Sequence, residues 1–382
     1  MTLRPTALLL ALAIFLPACS NGETVSPSTQ TAKTESTVPL WGDYRNDRPS
    51  CVRGIHLTAW VVGSAKRRAD YEALFAETEI NTAVIDIKEI DGEIYIPGVK
   101  LDGHDVYVSA VKDMKGYLTY LKERGVYTIA RMTVFKDQKL AKVKPEWAVR
   151  SEPPLAKAKE KGLAANVWVD RHGRAWADPY NTNVWKYNIA IAEKAADLGF
   201  QEIQFDYIRF PSDGPTERCR YSKPHSKEAS VKALAGFLEE AHKKLSPRGV
   251  KISIDVFGLV GSYDNDLGIG QRLSKITDHI DVLSPMMYPS HYGAGEYGIK
   301  DPNSNPYATV YRSISDTRKV LKDKNIVLRP YLQDFSLGVK YTAKHVRDQI
   351  EASYDNGVGE WLLWNPSCRY TKDAFEKKPP KS

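Results

Sequence analysis

Two aspartates in β-type runs carry the chemistry most open to a reading from sequence: Asp206 in "EIQFDYIRF" (202–210) and Asp255 in "KISIDVFGL" (251–259). In each run apolar and polar residues alternate, so one face is buried while the carboxylate points to the other. Paired carboxylates can act as general acid and as nucleophile or base in glycoside hydrolysis, with aromatic faces stacking on the sugar rings. Adjacent strands lie about 4.8 Å apart, close to the roughly 5–5.5 Å of a retaining pair, and side-chain stagger widens the gap toward the inverting range. We assign Asp206 as nucleophile or base and Asp255 as general acid, with Asp86 and Asp334 as reserve carboxylates. Asp178, before Pro179 and near a helix start, reads as a turn or cap residue.

These side chains need elements to hold them. Eight strand candidates occupy 52–63, 82–90, 127–135, 202–210, 251–259, 281–289, 326–335 and 359–366. Between them lie amphipathic helical stretches such as 110–125, 184–199, 230–245 and 343–357, several ending in Gly. This alternation over roughly 320 residues predicts a (β/α)8 barrel; an open doubly wound sheet is disfavoured because no Gly-x-Gly-x-x-Gly turn follows the first strand. A long insertion, 136–201, separates strands three and four. It carries Trp147, Trp168 and Trp176, for which core packing and sugar stacking remain equal readings, and an "RHGR" turn able to close a hairpin.

The strand phase turns His56, Trp60, Asp86, Lys88, Arg131, Gln204, Asp206, Asp255, Tyr288, Arg329, Tyr331 and Trp364 toward the barrel interior. So many polar groups inside need either mutual pairing or a use. The expected substrate contacts are His56, Trp60, Lys88, Arg131, Arg209, Tyr288, His291, Tyr331, Gln333, Trp364 and Asn365. Glu360 starts its strand and is expected at the barrel floor in a structural role.

The amino terminus reads as an export signal. Arg4 precedes the apolar run "ALLLALAIFLPA", and "LPAC" ends at Cys19, the expected lipidation site of a lipoprotein signal over 1–19. Ser20 after the cysteine directs such a lipoprotein to the outer membrane in a Gram-negative cell. The Ser/Thr/Pro-rich segment 20–50 reads as a disordered tether, 51–371 as the barrel domain and 372–382 as a basic tail. The net charge of +7 is scattered rather than clustered, which argues against nucleic acid and for a solvated surface. A monomer with a polysaccharide substrate and a membrane anchor is expected. No cofactor or metal is: the eight histidines include no His-x-x-x-His pair and the cysteines lack zinc-site spacing. Cys219 and Cys368, both at the barrel mouth, are the expected disulfide, against the objection that their strands lie across the barrel from one another.

"QFDYIRFP" (204–211), "SPMMYPSHY" (284–292), "RPYLQDF" (329–335) and "WLLWNPSCRYT" (361–371) resemble, in this order, an uncharacterised bacterial family of glycosyl hydrolase-type domains. "WADPYNTNVWKYNIAIA" (176–192) and "AVIDIKEIDGEIYIP" (83–97) resemble it too, so the likeness spans about 52–371. The resemblance implies a (β/α)8 fold and action on a polysaccharide. The fourth strand is also similar to that of chitinases, but Arg209 stands where their catalytic Glu aligns, which argues against a substrate-assisted mechanism. Arg209, and the lack of a clear Glu near any strand end, keep open the alternative of a non-catalytic carbohydrate-binding lipoprotein beside the hydrolase reading. A phosphate-handling barrel enzyme is disfavoured because no glycine-rich loop follows strand seven or eight.

Overall fold

The computed structural model describes residues 44–45 and 48–378. The signal segment, Cys19 and most of the tether lie outside the described residues. Eight parallel strands close into a barrel: β1 (Arg53–Leu57), β2 (Thr82–Lys88), β3 (Tyr127–Thr133), β4 (Glu202–Asp206), β5 (Lys251–Phe257), β6 (Val282–Met286), β7 (Val327–Leu328 and Tyr331–Gln333) and β8 (Trp361–Trp364). Each pairs with its sequence neighbour, and the β8–β1 pairing, Leu363 opposite Ile55, closes the ring. β7 breaks at Arg329–Pro330, where proline has no N–H to give the ladder.

Helices cover the outside, including α1 (Ala65–Glu77), α2 (Met114–Glu123), α3 (Thr182–Leu198), α4 (Lys227–Leu245), α5 (Leu273–Ile276), α6 (Pro306–Leu321) and α7 (Ala343–Asp355). Their starts follow capping chemistry: Asp113, Asn181 and Ser226 accept backbone N–H groups at the first turns of α2, α3 and α4. Gly199 ends α3 at φ 109°, a conformation that costs glycine nothing. Outward strand residues such as Ile85, Ile87, Met132, Phe205 and Ile254 pack with the helices in one large apolar core, whereas Val84, Ile129, Tyr331 and Leu362 fill the barrel itself.

Below that apolar layer lies an ionic floor. Arg329 Nη1 meets Glu202 at 2.7 Å and its Nε meets Glu360 at 2.9 Å, while Arg48 meets Glu360 at 2.7 Å. Glu360 therefore has the structural place expected of it. Arg48 and Pro49, expected in the tether, belong to the folded domain: they pair in a short ribbon with 44–45. The carboxy-terminal boundary also moves. Residues 372–378 are not a free tail: a 3-10 turn spans Lys372–Ala374, Phe375 is buried, and Lys378 N donates to Glu77 O at 2.9 Å. Among the described residues no helix is long and apolar enough to cross a membrane.

The insertion between β3 and β4 forms the expected hairpin around "RHGR", with Val169 bridging Ala175 and the Asp170 carboxylate accepting from the His172 and Arg174 N–H groups. Trp168 and Trp176 are fully buried, which decides for packing over sugar stacking at those two positions. Arg150–Ser151 of the insertion pairs with Cys219–Arg220 after β4.

Candidate active site

At the carboxyl ends of the strands, one guanidinium organises the acids. Arg131 on β3 donates from Nη1 to Asp86 on β2 at 2.5 Å and from Nη2 to Asp206 on β4, and its Nε lies 3.8 Å from Asp255 Oδ2 on β5. The register explains the convergence: Asp86 is opposite Arg131, and Asp206 lies one pleat above Gln204, the residue opposite Arg131. His56 on β1 completes the cluster. Its Nε2 is 2.7 Å from Asp86 Oδ2, and its ring stacks on Trp364 of β8 at 3.9 Å.

Because Asp206 and Asp255 both reach the same guanidinium, their separation falls inside the roughly 9.5 Å outer limit for glycosidase carboxyl pairs. Their surroundings differ. Asp255 Oδ1 is buried without a hydrogen-bond partner. Burial first, and then the neighbouring Asp206 charge, hold its carboxyl well above the usual carboxylate range, against the pull of Arg131. Asp206 has a close ion pair with Arg131 and also accepts from Tyr207 N at 2.5 Å. Tyr207 sits at φ 51°, unusual for a non-glycine residue, where β4 gives way to the mouth loop.

A cavity of about 400 Å³ opens beside this pair. Arg131, Asp206, Arg209, Asp255, Tyr288, His291, Tyr331 and Trp364 line it, all of them singled out from sequence, together with Tyr207, Phe257 and Tyr292, which were not. Tyr331 is fixed from below, its hydroxyl donating to Gln204 Oε1 at 2.7 Å.

His56 and Asp86 lie behind the cavity rather than on it. Burial disfavours the charged imidazolium, but the Asp86 carboxylate outweighs this and raises His56 to about 9; His56 and Arg131 together outweigh the burial of Asp86 and lower its pKa. A raised folded-state pKa means that the stability contributed by His56 is complete below the ordinary value of 6.5 and is lost as pH rises through about 9. Unfolding free energy is expected to fall over that window by an amount on the order of 3 kcal/mol, and His56→Gln to flatten this part of the profile in denaturant titrations.

Five expected positions are corrected. Lys88 does not enter the barrel. A bulge between Asp86 and Lys88 turns the lysine outward, where it pairs with Asp137 at 2.7 Å and donates to Asn188 on α3 at 3.0 Å. Trp60 is not on a strand: Thr58 caps a short helix, Ala59–Gly63, that leaves Trp60 55% exposed and off the cavity wall. Asp334 is bound on both oxygens by Thr371, through N at 2.8 Å and Oγ1 at 2.6 Å, so it anchors the loop after β8. Gln333 braces the loop after β6, accepting from Ser290 N at 3.0 Å, and Asn365 donates to Asp334 O at 2.5 Å. Asp178 is the turn residue expected, accepting from Tyr180 N and Ser222 N.

The expected disulfide is absent. Cys51, Cys219 and Cys368 are free thiols. Cys219 is tied into the ribbon with the insertion, while Cys368 is buried after β8 with its carbonyl bound by Tyr71. Sequence reasoning also passed over Glu89, which is not among the residues lining the cavity. Strict alternation turns it outward, but the bulge shifts the phase at the end of β2. Desolvation first, and then Asp86 and Asp91, push its carboxyl up to about 7. Among the described residues no group of three or more His, Cys, Asp or Glu side chains could hold a metal ion.

Residues 54–370 match the family described as "Putative glycosyl hydrolase domain". The chain belongs to that family. Membership places the barrel among glycosyl hydrolase-like domains, as the resemblance implied. No curated protein matches the chain. Among solved structures, the glycoside hydrolase domain of PgaB (BpsB) from Bordetella bronchiseptica is similar at 13% identity over 86% of this chain and 100% of that one, with a TM-score of 0.60. Alpha-L-fucosidase isoenzyme 2 from Paenibacillus thiaminolyticus is similar at 14% identity over 85% of this chain and 48% of that one, with a TM-score of 0.55. These two likenesses bear on the fold, and both agree with the closed barrel. A hypothetical protein from Ruminiclostridium thermocellum ATCC 27405 aligns at 33% identity over 53% of this chain and 97% of that one, with a TM-score of 0.45.

Proposed function

We propose that the domain hydrolyses glycosidic bonds in a bacterial envelope or extracellular polysaccharide, with Asp206 as nucleophile or base and Asp255 as general acid. The observation that carries this reading is the pair of carboxylates at one cavity with unlike surroundings: Asp206 is ion-paired to Arg131, and Asp255 has a buried oxygen without a hydrogen-bond partner. A protonated Asp255 can deliver a proton to the glycosidic oxygen as the bond breaks. Asp206, ion-paired to Arg131, can attack the anomeric carbon or take a proton from water. Trp364, Tyr288 and Tyr331 supply aromatic surface for a sugar ring beside the pair. In this reading His56 and Asp86 are positioning residues: they hold Arg131 from behind, and Arg131 holds Asp206. An exported protein, carried to the envelope by its amino-terminal signal and anchored through lipid on Cys19, would meet such a polymer outside the cytoplasm.

The purified protein is expected to release new reducing ends from at least one member of a panel of bacterial exopolysaccharides and peptidoglycan. Asp255→Asn is expected to lower that rate by about 10²–10⁴-fold with little change in melting temperature. A chain that binds a glycan from the panel and cleaves none would instead be a carbohydrate-binding module.

A further inference from the structure

Buried cations on this barrel come with carboxylates. Arg53 has Glu79 at 3.4 Å, Lys88 has Asp137 and Lys136 has Asp170 at 2.7 Å each, Arg131 has Asp86 and Asp206, and Arg329 has Glu202. Arg209 breaks the pattern. It is 8% exposed, lines the cavity beside Asp206, and has no carboxylate within ion-pair distance among the described residues. What holds it is aromatic: its guanidinium lies over Trp176 and Phe257 at 4.7 Å each and over Tyr207 at 5.3 Å. Nη1 donates to Phe210 O at 3.1 Å and Ser212 Oγ at 2.9 Å, which leaves the rest of the five-donor fork without a protein acceptor.

A buried charge without a countercharge costs several kcal/mol, and ring faces recover only part of that. Such a group is maintained where a ligand completes it. The two guanidiniums that line the cavity differ in this respect: Arg131 is ion-paired to Asp86 and Asp206, and Arg209 is not ion-paired among the described residues.

We propose that Arg209 recognises an anionic substituent on the substrate, so that the cavity takes an acidic sugar, one whose ring bears a carboxylate or a phosphate. This rests on the reading of the cavity as a glycan site and names the class of glycan. Arg209 follows Asp206 by three residues at the end of β4, so the anionic group belongs to the sugar at the cleavage point or to its immediate neighbour. A planar guanidinium suits either anion, since both accept parallel N–H bonds from its fork.

Isothermal titration calorimetry of the purified protein at low salt tests this with glucuronate, galacturonate, glucose 6-phosphate and glucose as probes. At least one acidic sugar is expected to bind about tenfold or more tightly than glucose, the advantage of one charge-assisted contact. The rank of uronate against phosphate identifies the anion. Arg209→Gln is expected to bring the acidic sugars to the level of glucose, and Arg209→Lys to retain part of the preference. Acidic sugars that bind no better than glucose, or fail to bind, overturn the proposal from the wild-type measurement alone, whether or not the variants fold. So does a preference that persists in folded Arg209→Gln. Because the readout is binding, an acid preference with no polysaccharide ever cleaved would remove the hydrolase reading and leave this one standing.

Discussion

Asp206→Asn is expected to lower kcat/KM on the cleaved polysaccharide by about 10³-fold or more, and to let Asp255 ionise at a lower pH than in the wild type. The two effects share a cause. Burial and the Asp206 charge raise the Asp255 carboxyl well above the usual carboxylate range against the attraction of Arg131. Removing that like charge also frees Arg131 Nη2, whose Nε is already 3.8 Å from Asp255. The acid of the pair would then approach the ionised state in which it cannot donate, so the variant loses the nucleophile and weakens the acid together. The Asp255 carboxyl carbon, followed by NMR through a pH titration, reads the second effect without any turnover. An unmoved Asp255 titration would mean that the two carboxylates are not coupled, and full activity in the variant would end the assignment of Asp206.

The wild-type pH–rate profile tests Asp255 as the acid: its basic limb is expected to follow a group whose titration depends on Asp206.

What the sequence revealed and what it hid have a common physical origin. Alternation is a good guide wherever a strand is regular, because one face must meet the helices and the other the barrel interior. Asp206 and Asp255 follow the phase of Phe205 and Ile254, which are fully buried in the outer core, and both carboxylates line the cavity as that phase requires. At a bulge the rule fails without warning in the residue types. The extra residue between Asp86 and Lys88 sends the lysine out to Asp137 and shifts the phase of Glu89. Trp60 was misplaced for another reason. "LTAWVVG" is as β-prone as the residues before it, and only the capping hydroxyl of Thr58, accepting from Val61 N at 3.3 Å, marks the turn into a helix. Asp334, Gln333 and Asn365 sit at the right end of the barrel, but loops that come from far along the chain satisfy them. Thr371 takes both oxygens of Asp334, a pairing that no local pattern encodes. The cysteines failed similarly: both follow strands at the mouth, and the ribbon that holds Cys219 to Ser151 depends on the fold of the insertion.

Arg131→Met is the substitution with the largest expected cost to the fold itself. The side chain is buried and is the shared cation for Asp86, Asp206 and Asp255, and its guanidinium also lies 4.8 Å from the Trp364 ring centre. Methionine fills similar space, but it leaves Asp206 with the Tyr207 N–H and no countercharge, and Asp86 with His56 alone. Breaking a buried ion pair by deleting one partner costs about 3–5 kcal/mol, and chemical denaturation at pH 7 is expected to show a loss of that size. The direction with pH follows from the same reasoning. Carboxylates stripped of their cation take up protons at higher pH than before, so the penalty is expected to shrink as pH falls and Asp206 and Asp86 become neutral. Adding Asp206→Asn to Arg131→Met removes the orphaned charge and is expected to recover part of the lost stability without restoring activity. A double variant no more stable than Arg131→Met would show that packing against Trp364, rather than charge balance at the mouth, is what Arg131 contributes to the fold.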